Sequence, residues 1–328
     1  MNGLRYRVAD QRGMLLALAI FIVMFALYVA NHPAGFTPNV VQTAANKGVL
    51  LALVAMAQTF VVLTAGIDLS VGMIFILANC LASYLLVGTP VTVALGVSGV
   101  LLTGLACGAV NGLLVIYGRL QPIVITIATG AVFFGIALWL RPYPGSADEF
   151  SSDLADALTG KVLGVFPASL LFLVVVVLVV WVPFRRSVTG RAVYAVGSSE
   201  PAAYMSGVPV KRAKFTAYVL SGLFAAIGGL FMTFFTYSGE ASMANGNTYT
   251  LSSIAAVVLG GVSLFGGRGS AIGAIFGALA FRAIGDLLFV FDLDPLWQPL
   301  FQGVVLLLAV SLGAARLFQV RNRLDLFG

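Results

Sequence analysis

The chain has 328 residues, of which 60% are hydrophobic and 9% are charged, and its mean hydropathy is +1.04. Because so few charged residues cannot cover a soluble surface, the composition predicts an all-α polytopic membrane protein. The net charge of +6 is explained by its distribution along the chain, so no nucleic-acid partner is expected. His32, Cys80 and Cys107 give no metal-ligand spacing, and no metal site is predicted.

Ten apolar runs approach or exceed the length of about 20 residues that a helix needs to cross a bilayer. They cover residues 14 to 31, 48 to 65, 71 to 88, 91 to 117, 122 to 140, 166 to 184, 215 to 236, 250 to 266, 270 to 291 and 297 to 315. We therefore predict one transmembrane permease domain over residues 1 to 328, with about ten transmembrane helices. The joints at 66 to 70 and 267 to 269 are shorter than ordinary loops.

The basic residues predict the orientation. With a cytoplasmic N-terminus, fourteen of the eighteen lysines and arginines lie on the cytoplasmic side, as the positive-inside rule requires. These fourteen are Arg5, Arg7, Arg12, Arg119, Arg185, Arg186, Arg191, Lys211, Arg212, Lys214, Arg268, Arg316, Arg321 and Arg323. Both termini are therefore predicted to be cytoplasmic. The loop 185 to 214 would be cytoplasmic, and the loop 141 to 165 would be external.

Shifting the chain by 165 residues aligns two sets of glycines in the fourth and ninth runs. The aligned residues are Gly104, Gly108 and Gly112 in one run and Gly269, Gly273 and Gly277 in the other. Two independent helix-packing ladders would give the same match. We favour a duplication, in which runs five crossings apart have opposite directions. The chain would then be an inverted repeat of two five-helix halves, with the pathway near their interface.

Asp68 is the only carboxylate between Asp10 and Asp148, and it stands at the joint between the second and third runs. A charge in or beside hydrocarbon costs several kcal/mol, and about 2.5 on the mildest scale, so an acid there needs a role. With Ser70, it either caps the helix that follows or belongs to the translocation pathway or its gate. The capping role is favoured slightly.

A short helix is predicted between the sixth and seventh runs. Ser198 or Ser199 can cap its start, and Glu200 suits the positive end of the helix dipole. Pro201 is tolerated in a first turn, and Gly207 would end the helix after about two turns.

Such a helix would be a rigid handle for a soluble partner. The small residues Ala202 and Ala203 favour docking over the alternative, which is a basic loop in contact with lipid. The chain has no phosphate-binding loop, since Gly266-Gly-Arg-Gly-Ser270 lacks the lysine and the preceding strand. A separate ATPase would have to supply the energy for transport.

Four segments resemble the membrane subunits of bacterial carbohydrate ABC importers of the ribose, xylose, arabinose and galactose permease family. They are Gly66-Ile-Asp-Leu-Ser-Val-Gly72, Gly190-Arg-Ala-Val-Tyr-Ala-Val-Gly197, Glu200 through Gly207, and Val258-Leu-Gly-Gly-Val-Ser-Leu-Phe-Gly-Gly-Arg-Gly269. The resemblance extends over roughly residues 14 to 315. The third segment corresponds to the E-A-A-type coupling element, in which Pro201 replaces an alanine. That proline fits a helix N-terminus, so docking is expected to be kept.

The resemblance implies a permease of the bacterial inner membrane that carries a pentose or hexose. The implied partners are two ATP-binding-cassette ATPase subunits on the cytoplasmic side, a periplasmic sugar-binding protein, and a second copy of the permease in the bilayer. The chain would have no catalytic residues and bind no cofactor, because ATP and magnesium would be held by the ATPase. Residues Glu200 to Gly207 would couple the ATPase to the permease.

Other polar side chains inside the runs have two possible roles. Gln58, Asn79 and Asn111 could bind sugar hydroxyls along the pathway, although interhelical contacts are commoner for isolated amides. Arg282 and Asp286 are four residues apart in the ninth run and can pair on one helix face. An intramembrane ion pair is favoured over a contact with the cargo.

The external loop 141 to 165 is acidic, and a solvated loop is the default interpretation. We also hypothesise that its acids contact basic residues of the binding protein. The acids are Asp148, Glu149, Asp153 and Asp156.

A different class of function is a stand-alone secondary transporter for a small polar solute. Proton coupling usually needs several intramembrane acids, and the apolar runs offer only Asp68 and Asp286. An intramembrane enzyme is disfavoured, because the sequence has no paired carboxylates, histidine cluster or Ser/His arrangement.

Overall fold

Helices make up most of the structure, a computed structural model that describes residues 11 to 146, 152 to 308 and 311. The helices are α1 (Arg12–Asn31), α2 (Pro38–Val62), α3 (Val71–Leu85), α4 (Pro90–Tyr117), α5 (Pro122–Leu140), α6 (Ser152–Thr159), α7 (Ala168–Arg186), α8 (Val188–Ser198), α9 (Glu200–Met205), α10 (Val210–Thr236), α11 (Met243–Leu259), α12 (Ala271–Val290) and α13 (Gln298–Leu308). The strands are β1 (Gly145–Ser146), β2 (Lys161–Val162), β3 (Phe166–Pro167) and β4 (Ser238–Gly239). Short π-helical turns end α4 and interrupt α7.

Seven of the described helices are long and apolar enough to cross a membrane, which makes the chain a multi-pass membrane protein. They are α1, α2, α4, α5, α7, α10 and α12. The apolar helices α3 and α13 are shorter, and α11 has 17 residues. The count of ten crossings therefore remains a prediction.

Two helices begin well before the corresponding apolar runs. α2 begins at Pro38 and α11 at Met243, about two turns or more ahead of the predicted starts. The side chains of Thr37 and Ser242 cap these starts by accepting backbone hydrogen bonds. Because the first turns of both helices carry polar side chains, hydropathy marks their apolar parts and misses their beginnings.

α2 is the central helix of the bundle. Every residue from 48 to 62 is buried, and the helix packs on α7, α10, α11 and α12. Phe60 lies at the centre of an aromatic cluster, with ring centroids 5.6 Å from Trp181, 5.0 Å from Phe184 and 5.1 Å from Phe224. Because α2 is buried on every side over these residues, the other helices are arranged about it.

Both predicted glycine ladders bring backbones into direct contact. A Cβ on Gly104 of α4 would lie 2.6 Å from the carbonyl oxygen of Gly222 in α10. A Cβ on Gly273 of α12 would lie 2.3 Å from the carbonyl oxygen of Gly260, which follows α11. Only a residue without a side chain permits these approaches, which is the usual reason for small residues at helix interfaces in membranes.

The segment between α5 and α7 lies at one end of the bundle and is held there by strand pairing and hydrogen bonds. β1 pairs antiparallel with β4, and β2 pairs antiparallel with β3. The carbonyl oxygen of Thr159 accepts hydrogen bonds from Gln42 Nε2 at 2.7 Å and Asn46 Nδ2 at 2.8 Å. The polar first turns of α2 thus hold the segment that the sequence predicts to be external.

Several predicted charges lie outside the described residues. They are the loop acids Asp148 and Glu149 and the terminal basic residues Arg5, Arg7, Arg316, Arg321 and Arg323.

The contact between α4 and α10 gives a first prediction. Gly104→Val places methyl groups against the α10 backbone, so we expect a loss of about 1–3 kcal/mol or more of stability. Gly135→Val on α5 is the matched control, because a Cβ there meets nothing within 4 Å. Thermal unfolding in detergent measures both variants, and equal melting temperatures for the two would contradict the packing described.

Candidate functional site

Asp68 is fully buried in the joint between α2 and α3, and hydrogen bonds reach both of its oxygens. Oδ1 accepts from the backbone N–H of Ser70 at 2.9 Å and from its hydroxyl at 2.6 Å. Oδ2 accepts from the Ser221 hydroxyl of α10 at 3.2 Å. Ser70 is the N-cap residue of α3 but makes no side-chain capping bond. Asp68 therefore organises the turn that leads into the helix, as an Asx turn does.

The hydrogen bonds continue from the joint into two further helices. The Ser70 hydroxyl accepts from Asn111 Nδ2 of α4 at 2.7 Å, and Asn111 Oδ1 accepts from the Thr129 hydroxyl of α5 at 2.6 Å. The backbone N–H of Leu69 donates to Thr126 of the same helix at 3.0 Å. We call Asp68, Ser70, Asn111, Thr129 and Ser221 the joint network.

The joint network joins three of the predicted site residues and adds two. Asp68, Ser70 and Asn111 were candidates from sequence, whereas Thr129 and Ser221 were not. Threonines 126 and 129 are three residues apart on α5 and face the joint together, which is the available sequence signal. Within the described chain, no lysine or arginine forms a salt bridge with Asp68, so its neighbours are hydrogen-bond donors.

Asn79 lies in α3 and has a separate set of partners. Its Nδ2 donates to Thr233 Oγ1 at 2.9 Å and to the carbonyl oxygen of Ser238 at 3.0 Å. Its Oδ1 accepts from the backbone N–H of Glu240 at 3.0 Å. These bonds fasten α3 to the joint between α10 and α11.

Gln58 is the exception among the three predicted amides. It lies in α2 with a fully buried side chain, and neither Nε2 nor Oε1 has a hydrogen-bond partner. An unpaired buried polar group costs about 1–3 kcal/mol, so this amide does not stabilise the conformation described.

The predicted pairing of Arg282 and Asp286 includes a third residue. Asp286 Oδ1 lies 3.8 Å from Arg282 Nη2 and 3.4 Å from Lys47 Nζ of α2. The carboxylate is buried between the two cations, which fastens α12 to α2.

The predicted short helix in the loop 185 to 214 is present as α9. Ser199 Oγ accepts from the backbone N–H of Ala202 at 3.4 Å, and Pro201 lies in the first turn. Gly207, with φ of +76°, follows the helix in the left-handed conformation that favours glycine.

The exposed face of α9 contains two large residues that were not predicted as site residues. Tyr204 is 76% exposed and Met205 is 84% exposed, whereas Ala203 is buried. Glu200 forms a salt bridge with Lys214 of α10. An adjacent tyrosine and methionine in a helix of the predicted cytoplasmic loop are the sequence signal from which this surface could have been found.

α8 was not predicted, and it connects α9 to the joint that contains Asp68. A Cβ on Gly197, near the end of α8, would lie 1.9 Å from the carbonyl oxygen of Leu63 and 2.5 Å from the nitrogen of Gly267. The Gly267 N–H also donates to that carbonyl oxygen at 3.0 Å. The Tyr194 hydroxyl donates to the carbonyl oxygen of Gly269 at 2.8 Å. The end of α8 and the two tight joints therefore meet backbone to backbone, at a place we call the glycine contact.

Comparison with known proteins identifies the family of the chain. Residues 40 to 310 match the family described as the branched-chain amino acid transport system permease component. The chain belongs to this family. The ribose import permease of Bacillus subtilis is 33% identical over 304 residues, 90% of each chain. The D-allose transport system permease of Escherichia coli K12 is 32% identical over 306 residues, 92% of this chain and 91% of that one.

A fructose import permease of Rhizobium meliloti is also similar, at 34% identity over 272 residues, 80% of this chain and 74% of the relative. No solved structure matches the chain. The predicted resemblance to permease subunits of carbohydrate ABC importers is confirmed.

The joint network predicts different results for two substitutions of Asp68. Asn keeps one oxygen for Ser70 and can donate to Ser221, so Asp68→Asn should unfold near the parent temperature. Asp68→Ala leaves buried hydroxyls unpaired and should cost about 1–3 kcal/mol for each such group. Thermal unfolding in detergent compares them, and an equal loss of stability in both variants would contradict the assigned hydrogen bonds.

Proposed function

We propose that the chain is the transmembrane subunit of an ABC importer that passes a pentose or hexose from a periplasmic binding protein to the cytoplasm. The observation that carries the proposal is the similarity, over about 80–92% of the chain, to relatives named as importers of ribose, D-allose and fructose. ATP hydrolysis would be performed by a separate ATPase subunit, with ATP and magnesium bound there. The permease would lie in the bacterial inner membrane with both termini in the cytoplasm, paired with a second copy.

The coupling surface of this permease would be α9. Ser199 caps the helix, and the salt bridge between Glu200 and Lys214 holds it against the N-terminal end of α10. The side chains of Tyr204 and Met205 are exposed on it. Exposed aromatic and methionine side chains are common anchors of protein interfaces. We assign this face to the ATPase.

The glycine contact offers a route from α9 to the bundle. A displacement of α9 would move the end of α8, because Ser199 directly follows that helix. Gly197 has no side chain to absorb the movement, so the backbone at Leu63 would be displaced with it. Leu63 begins the joint that Asp68 organises, and the joint network reaches α4, α5 and α10. ATP-driven movement would thereby reach the helices around α2.

The inverted repeat fits the pairing of helices. In the proposed repeat, α2 corresponds to α10 and α4 corresponds to α12. The observed contact of α4 with α10 then corresponds to the observed contact of α12 with α2. The exchange of α3 with α11 has a counterpart in the hydrogen bonds. Asn79 of α3 bonds to the joint between α10 and α11, and Thr250 of α11 accepts at 3.1 Å from the N–H of Gly72 at the start of α3.

The binding protein would meet the segment around α6. Asp156 accepts a hydrogen bond from the Tyr237 hydroxyl at 2.7 Å, which raises the pKa of that tyrosine. Asp153 lies in the first turn of the same helix and is exposed. We assign this acidic segment to contacts with basic residues of the binding protein.

Gln58 would contact the sugar during transport. Its amide has no partner in the conformation described, although it lies in the most enclosed helix. Sugar hydroxyls both donate and accept, so they can satisfy the two ends of an amide. A rearrangement of the helices around α2 that admits the sugar would supply this partner.

Replacing Gln58 should separate transport from stability. Gln58→Met keeps the length of the side chain and removes both unpaired groups, so the melting temperature should stay equal or rise. Sugar uptake with the complete importer should fall about two- to tenfold, because one lost hydrogen bond is worth about 0.5–1.5 kcal/mol. Thr59→Val is the control, since among the described residues the Thr59 hydroxyl donates only to the carbonyl oxygen of Ala55 in its own helix. If Gln58→Met leaves sugar uptake unchanged, Gln58 does not contact the sugar during transport.

Two exposed tyrosines, one on the coupling surface and one on the opposite side of the protein, allow a matched test of that surface. Tyr204→Asp should reduce co-purification of the ATPase, since truncating an interface anchor costs about 2 kcal/mol or more. Tyr143 is similarly exposed, at 80%, but follows α5 on the predicted external side, so Tyr143→Asp should keep the ATPase bound. If both variants retain the ATPase equally, α9 is not the coupling element.

A further inference from the structure

An apolar groove runs along the bundle between α1 and α7, with α2 and α12 as its floor. Its volume is about 510 Å³. Its lining on α12 extends from Ile272 to Asp286, which is about 21 Å of helix. One leaflet of a bilayer contains about 15 Å of hydrocarbon, so the groove is long enough to follow a lipid chain through its leaflet.

The groove opens toward the side of the bundle that a membrane would cover. Its rim on α7 includes Val174 and Leu178, which are more than half exposed. Its rim on α1 includes Phe21 and Phe25. A polar solute would find few partners along these walls, so the shape and lining suit a hydrocarbon chain.

One end of the groove is charged. Arg282 and Asp286 line it there, and Lys47 bonds to the same carboxylate, so two cations and one anion leave an excess of one positive charge. Lys47 follows Asn46, whose side chain binds Thr159 in the segment outside the candidate membrane spans. The charged end thus lies toward the membrane surface, where the phosphate of a lipid would be found.

The charge at one end of the groove distinguishes between possible occupants. The excess positive charge of Lys47 and Arg282 over Asp286 suits an anionic phosphate, and the apolar walls suit an acyl chain.

We propose that this groove binds one phospholipid from the surrounding bilayer. One acyl chain lies along the groove, and the phosphate accepts hydrogen bonds from the guanidinium of Arg282. Lys47 keeps Asp286 paired while Arg282 contacts the phosphate. An anionic phospholipid gains most from the excess positive charge.

Two adjacent valines test the position of the acyl chain. Val174 lines the groove, whereas Val175 is similarly exposed on the same helix and is not among the lining residues. Phosphatidylglycerol is added to the purified permease in detergent, and native mass spectrometry counts the lipids that stay bound. Val174→Trp should lose the retained lipid, and Val175→Trp should keep it. Equal lipid retention by the two variants overturns the proposal.

The charged end is tested by Arg282→Gln, which leaves the bond between Lys47 and Asp286 in place. Phosphatidylglycerol should bind about fivefold more weakly, as expected for one basic residue near a lipid surface. Diacylglycerol with the same chains lacks the phosphate and should bind equally to both proteins. Unchanged binding of phosphatidylglycerol overturns the phosphate contact.

The same spectra report whether the permease is monomeric or dimeric. If Val174→Trp separates a dimer into monomers without loss of lipid, the groove is an interface between copies, and the proposal is wrong.

Discussion

The burial of one carboxylate constrains the arrangement around the central helix. Asp68 lies where α2 turns into α3, away from water, so its oxygens require donors. Ser221 of α10 supplies one, and Ser70 supplies two and extends the hydrogen bonds to α4 and α5 through Asn111. Three helices, α4, α5 and α10, and the joint must therefore keep their relative positions for this chain of hydrogen bonds to persist. The close approach of α4 to α10 at Gly104 and Gly222 brings two of those helices together.

The same joint connects the cytoplasmic loop to the interior of the bundle. Leu63 is the first residue of the joint, and its backbone contacts Gly197 of α8. Asp68 follows five residues later and is buried inside the bundle. Backbone against backbone is a stiff contact, because no flexible side chain separates the two segments. In the proposed importer, this arrangement would let the ATPase act on the helices around α2 without entering the membrane.

The sequence identified the parts of the site that involve rare residue types. An acid between apolar runs indicated Asp68, and the order of serine, glutamate, proline and glycine predicted α9. Thr129 and Ser221 were missed because hydroxyl groups are common in membrane helices, where they can bond to their own backbone. The starts of α2 and α11 were missed because polar first turns carry no hydropathy signal. The lack of partners for Gln58 depends on tertiary packing, so it could not be read from the chain.

The dependence of transport on a separate ATPase tests the central claim most directly. The permease is reconstituted in vesicles with and without its ATPase, in the presence of the binding protein, and uptake of labelled sugar is measured. We expect uptake only when the ATPase and ATP are both present on the side where α9 is exposed. Uptake by the permease alone, driven by an ion or proton gradient, would contradict the account and identify a secondary transporter.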